Sequence, residues 1–259
     1  MSTVNLSPPA PAGMPEQEWL ARLDLAAAYR LGAKMGWSDL LGTHFSVRVP
    51  GTRDDYLINP YGLFFEEITA SSLIRINTRG DVTGQQEYGV NRAADVIHGG
   101  LYAAHPQAQA AIHLHSVAGT GVASQNGGLL PVSQSALMIM SRVRYYDYTG
   151  AKLDREECAR MAVTLGDGQI LMLRNHGTLT VGASLGEAFA LMMRLERACA
   201  IQLAAQAGGQ VHAIEQRFID ESIRFGSTIY SEQSWSPHAR VEWAALRRKI
   251  DREDPGYAA

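Results

Sequence analysis

With 259 residues, 46% of them hydrophobic and 19% charged, and a mean hydropathy of -0.12, the chain has material for a sizeable core and excludes a disordered or fibrous protein. A net charge of -3 and an isoelectric point near 6.2, with Lys and Arg scattered, leave no footprint for nucleic acid or a membrane surface. No apolar run approaches the roughly 20 residues of a spanning helix, and Met1-Ser2-Thr3-Val4 begins without a basic segment leading into an apolar one. The two cysteines, Cys158 and Cys199, fit buried thiols, so the expected location is the cytoplasm.

Residues 1–14 carry Pro8, Pro9, Pro11 and Gly13, which predict a flexible leader. From Pro15, Trp19, Leu23, Ala26, Ala27 and Leu31 recur at helical spacing as far as Gly36. Phe45, Val47 and Val49 then alternate with Ser46 and Arg48, and Pro50-Gly51 turns the chain into Tyr56-Leu57-Ile58, a predicted hairpin. Leu73–Ile76 predicts a third strand, residues 92–104 a helix, residues 110–115 a buried strand, and the segment through Ala123 another helix. Residues 170–173 and 178–181 flank Asn175-His176-Gly177 and predict a second hairpin. Ser184-Leu185-Gly186-Glu187 has the form of a capping box; Leu185, Ala188, Met192, Leu195, Cys199 and Leu203 make an apolar stripe behind it, and Gly208-Gly209 ends the helix. No repeat or interior linker interrupts this order, so one domain over 15–210 is expected. Residues 211–259 form a C-terminal extension, packing on that domain or on a neighbouring subunit.

His113-Leu114-His115 places two imidazoles on one face of a strand, because side chains at i and i+2 project to the same side. His176, beside Gly177, can turn toward the same end of the sheet. A lone His-x-His pair is commonly structural, so the other motifs decide its weight.

Ala110-Ala111-Ile112-His113-Leu114-His115-Ser116, Leu173-Arg174-Asn175-His176-Gly177 and the Ser184–Gly208 helix, with Ile58-Asn59-Pro60-Tyr61-Gly62 and Glu67-Ile68-Thr69-Ala70 upstream, together resemble the class II aldolase/adducin family over residues 17–210. The resemblance implies a three-layer α/β/α fold around a mostly antiparallel sheet, commonly a homotetramer with sites near subunit interfaces. It also implies one divalent metal ion on His113, His115 and His176, with zinc the first expectation and manganese or iron the alternatives. An ion with three protein ligands keeps open positions and acts as a Lewis acid on substrate oxygens.

The departures from the family are equally informative. Arg92, Ala93 and Ala94 stand where the sugar-phosphate aldolases carry Ser-Ser-Glu, so both the usual acid/base and the phosphate-binding serines are absent. Arg92 offers a guanidinium fork suited to a carboxylate, and Asp95 is turned by about 100° on the helix. Gly42-Thr43-His44-Phe45-Ser46 replaces a phosphate loop, and Ser135 replaces a catalytic tyrosine, for which Tyr145, Tyr146 or Tyr148 offers a substitute. The expected site therefore has His44 and Tyr146 as catalytic candidates, and Arg92, Asn59 and Gly62 as substrate contacts. The expected activity is a metal-dependent carbon–carbon lyase, a decarboxylase or retro-aldolase, acting on a small unphosphorylated hydroxy- or oxo-carboxylate. Val90-Asn91-Arg92-Ala93-Ala94 and Tyr146-Asp147-Tyr148 resemble the adducin branch, which keeps open a non-catalytic interaction module, and an iron oxygenase is a further alternative. His98 and His105 are expected to have a packing role and a surface role respectively.

Overall fold

Glu16 and Glu18 lie at the positive end and Lys34 at the negative end of the first helix, α1 (Glu16–Lys34), matching its dipole. Gly36, at φ +70°, then turns the chain away. A computed structural model describes residues 8–84, 87–150 and 154–259, so residues 1–7 of the predicted leader lie outside the described residues. The remainder of that leader is tied down: Trp19 Nε1 donates to Pro8 O at 2.8 Å, and Ala10 and Met14 pack against the core.

Seven strands form one sheet: β1 (His44–Arg48), β2 (Asp55–Ile58), β3 (Ile74–Asn77), β4 (Ala110–Leu114), β5 (Val143–Tyr146), β6 (Ile170–Leu173) and β7 (Gly177–Gly182), in the order β3-β2-β1-β4-β7-β6-β5. Every neighbouring pair is antiparallel except β5 with β6. Both predicted hairpins are present, and the third strand begins one residue later than its apolar run suggests.

Alternation along the strands divides the core. Ile112, Leu114, Ile170 and Met172 face a layer built from α1, α3 (Val117–Ala123) and α6 (Leu185–Ala207), where Phe45 stacks on Tyr29 at 4.6 Å between ring centroids. Ala111, Leu171, Leu173 and Leu179 face α2 (Arg92–Ala104) and α5 (Arg155–Leu165), through Ile97, Leu101, Cys158 and Met161. The result is a three-layer α/β/α arrangement around a mostly antiparallel sheet, as the sequence leads one to expect.

Ser184 caps α6 by accepting from Glu187 N at 3.1 Å, while Glu187 Oε2 reaches one residue past the cap to Ala183 N at 2.9 Å. A short helix, α4 (Gln134–Leu137), and two further helices, α7 (Gln216–Gly226) and α8 (Arg240–Glu253), complete the chain. The segment after residue 210 returns to the first helix: Ile250 and Tyr257 are buried in the same core, Ala70 N donates to Tyr257 O at 2.8 Å, and Arg30 pairs with Asp254 at 3.2 Å. Among the described residues no helix is long and apolar enough to cross a membrane.

Strand directions gather one end of the sheet. The start of β1, the ends of β2, β4, β5 and β6, and the start of β7 all lie there, and so do the first turns of α2 and α5, each of which runs back toward the start of the next strand.

Candidate metal centre

His113 stands near the end of β4 and His115 directly after it, and His176 closes the three-residue connection between β6 and β7, where Asn175 adopts φ +57°. Gly177 makes this approach feasible. A Cβ on it would fall inside van der Waals contact of Leu114 O and 3.0 Å from His115 Cδ2, so any side chain would force β7 away from β4.

The three Nε2 atoms converge, with His113 to His115 at 2.9 Å and His115 to His176 at 3.0 Å. Second partners fix two tautomers. His113 Nδ1 donates to Thr178 O at 2.9 Å, and His115 Nδ1 donates to Asp39 Oδ2 at 3.0 Å; both acceptors lack a proton, so each ring turns an Nε2 lone pair inward. Lone pairs this close repel unless a cation lies among them. Tetrahedral zinc with nitrogen ligands at about 2.05 Å separates them by about 3.3 Å, so a small rearrangement admits an ion. Among the described residues this is the one group of three metal-ligating side chains whose donor atoms lie within 4.8 Å of one another.

Electrostatics suit ligation as well. Burial, followed by the neighbouring imidazoles His44, His176 and His115, holds His113 well below the usual histidine range. Burial and then His115 push His176 down to about 4, against an opposing pull from the Glu157 carboxylate. Both rings are therefore neutral near pH 7, the form that binds metal.

His44 is the cross-strand partner of His113, and their ring centroids lie 4.9 Å apart. Its Nδ1 lies 2.6 Å from His98 Nε2; His98 Nδ1 meets Ser46 Oγ, which lies 2.8 Å from Tyr102 OH. His98 is thus packed, as expected, but as part of a polar chain beside the triad. His105 departs from its expected surface role: it is buried against α5 with Nε2 2.8 Å from Ala162 O.

The other candidates are dispersed around this end. Arg92 opens α2 with its side chain exposed. Asn59 is buried, and its Oδ1 accepts from Tyr29 OH at 2.7 Å, so that oxygen already holds the loop to α1. Gly62, at φ +124°, shapes the same loop, and Tyr61 N donates to Gly89 O at 2.7 Å. Asp95 accepts from Tyr56 OH at 3.2 Å, which turns it from the centre. Tyr146, half-buried at the end of β5, lines a cavity of about 170 Å³ together with Thr149, Glu157, Met161, Arg174 and His176. A larger hollow of about 420 Å³ lies at the opposite end of the sheet. There Arg142 bonds Gln169 at 2.7 Å and Gln169 bonds Glu187 at 2.7 Å, which braces the fold.

Sequence reasoning missed Asp39, the carboxylate behind His115, and Glu157. Neither belongs to a motif, and both come near the histidines only through the fold.

The Class II Aldolase and Adducin N-terminal domain family matches residues 23–203. A protein of Caulobacter vibrioides with a class 2 aldolase name is 42% identical over 248 residues, 94% of this chain and 93% of that protein. Alpha-adducin of Rattus norvegicus is 43% identical over 90% of this chain, which spans 33% of the adducin. Among solved structures, an aldolase II superfamily protein from Pseudomonas syringae superposes with a TM-score of 0.89 at 39% identity, covering 95% of this chain and 98% of its own. L-fuculose 1-phosphate aldolase from Glaciozyma antarctica gives 0.81 at 27% identity, covering 97% and 96%. With a seven-stranded sheet, a triad of histidines at its end, a family match over residues 23–203 and a Caulobacter vibrioides relative matched along almost its whole length, the chain belongs to the class II aldolase/adducin family.

Proposed function

We propose that the protein is a divalent-metal-dependent carbon–carbon lyase, a decarboxylase or retro-aldolase, acting on a small unphosphorylated hydroxy- or oxo-carboxylate. The observation that carries this reading is the convergence of three Nε2 lone pairs, two of them set by Thr178 O and Asp39. His113, His115 and His176 would hold the ion, with zinc favoured by the all-imidazole donor set, and the bound ion would supply Lewis acidity toward a substrate oxygen.

The chain's own residues set the rest. Arg92, exposed at the start of α2, presents its guanidinium fork to the substrate carboxylate. The cavity beside His176 admits only a small molecule, and Tyr146 in its wall offers a hydroxyl for proton transfer. His44, held by His98 and packed on His113, orients that ligand and closes the floor of the site. The loop carrying Asn59 and Gly62 borders the same end and contacts the substrate. A homotetramer in the cytoplasm fits both the family and the two buried free thiols, Cys158 and Cys199.

The test is a screen of small 2-oxo and 2-hydroxy acids with zinc-loaded or manganese-loaded protein under anaerobic conditions, reading release of CO2 or aldehyde. Turnover lost in His113→Ala supports the lyase. The similarity to alpha-adducin favours a second reading, a non-catalytic interaction module. That reading predicts no turnover with any acid and a biological activity that survives His113→Ala.

A further inference from the structure

The family position that carries the acid/base in sugar-phosphate aldolases is Ala94 here, the third residue of α2 and fully buried. Its neighbour in the same layer is α5, which also runs away from the metal-site end, and the third residue of α5 is Glu157. We propose that Glu157 is the acid/base carboxylate of this site, supplied from α5 in place of the residue missing from α2. The assignment rests on the lyase reading.

Three observations support it. Glu157 lines the cavity that His176 and Tyr146 also line, and of the two carboxylates there, Asp147 is exposed whereas Glu157 is only 5% exposed. Among the described residues its partners are few for a buried carboxylate: Oε1 accepts from the Thr149 hydroxyl, and the one ion-pairing cation is the largely exposed Arg160, at 3.7 Å. Buried carboxylates are ordinarily held by close ion pairs or several donors, so this one keeps acceptor capacity facing the cavity. The other carboxylates around the triad are engaged elsewhere: Asp39 holds His115, Asp95 accepts from Tyr56, and Glu196 accepts from Ser116 at 2.6 Å.

The chemistry is a single reversible proton transfer. The Glu157 carboxylate takes a proton from the carbon adjacent to the carbonyl of a 2-oxo acid; the C–H bond breaks, an O–H bond forms on Glu157, and the electron pair remains on the substrate as its enolate. In the cleavage direction, the enolate left by C–C scission takes the proton back at carbon, and the carboxylate is regenerated. Tyr146 faces the same cavity and is placed to serve the oxygen of the departing carbonyl.

The experiment compares zinc-loaded wild type with Glu157→Gln and Glu157→Asp, after zinc stoichiometry and melting temperature show that both variants are intact. Oxalate, a planar dianion shaped like the enolate of a 2-oxo acid, is titrated calorimetrically. A carboxylate beside the bound dianion repels it, so Glu157→Gln is expected to bind oxalate at least about five-fold tighter. Equal or weaker binding overturns the assignment, whether or not a turnover substrate is in hand. In D2O, exchange of the methyl protons of pyruvate, followed by proton NMR, is expected to fall about 100-fold or more in Glu157→Gln and to recover in part in Glu157→Asp. Exchange that survives in Glu157→Gln overturns the assignment and leaves the lyase reading standing. A zinc-loaded wild type that binds no oxalate and exchanges no pyruvate removes both.

Discussion

His44 Nδ1 and His98 Nε2 lie 2.6 Å apart, joining β1 to α2 beside the ring of His113. The contact continues through Ser46 to Tyr102, so four buried polar side chains satisfy one another inside an otherwise apolar layer. Such networks are costly when broken, because the remaining groups stay buried without partners. His98→Ala is therefore expected to destabilise the protein by about 2–4 kcal/mol in urea unfolding, with His98→Gln less damaging. A loss within about 0.5 kcal/mol would show that the chain contributes little.

The triad makes the metal-free protein acid-sensitive. His113 and His176 have folded-state pKa values below the ordinary 6.5, with His176 at about 4. Below pH 6.5 the unfolded chain binds protons that the folded chain refuses. Stability is then fully present above pH 6.5 and declines as pH falls toward 4. Urea midpoints of the metal-free protein between pH 8 and pH 4 measure this; a midpoint that rises on acidification would contradict the assignment.

Asp39 is more than half exposed and touches His115 Nδ1 at 3.0 Å. Replacing it should leave the fold intact and release the ring. For Asp39→Ala the expected outcome is a 10–100-fold weaker zinc affinity in competition with a chromophoric chelator, with thermal stability of the metal-free form changed by less than about 0.5 kcal/mol. Unchanged affinity would mean that His115 is held by other contacts.

Gly177 separates β7 from Leu114 O and from His115. Gly177→Ala forces a backbone shift at the place where all three ligands meet. A cost of about 2 kcal/mol or more is expected, together with weakened zinc binding, whereas Gly89→Ala, at a glycine that likewise has no positive φ but has open space around it, isolates the loss of glycine alone. Equal effects from the two substitutions would contradict the packing argument.

Much of this architecture could be read along the chain because the information was local. The i, i+2 spacing of His113 and His115 puts both rings on one face of β4, and the Ser184 cap with its apolar stripe specifies α6. Strand β5 escaped notice because Val143-Arg144-Tyr145-Tyr146 is a half-buried edge segment without strong alternation. His105 looked like a surface residue at a helix end, yet α5 covers it, a contact 57 residues away in sequence. Asp39 and Glu157 carry no local signal, since each comes near the histidines only when segments distant in sequence converge. The substitution of Ala94 for the family's glutamate was visible; a carboxylate on the neighbouring helix was not, because which helices lie side by side is a property of the sheet order.

Metal content is the most direct test of the central claim, that His113, His115 and His176 hold one divalent ion. Protein purified without chelator, then equilibrated with zinc and dialysed, is assayed by plasma mass spectrometry alongside His113→Ala and His176→Ala. The account predicts about one zinc per chain in the wild type and a loss of tight binding in both variants. A wild type that retains no metal, or variants that retain as much as the wild type, would contradict it.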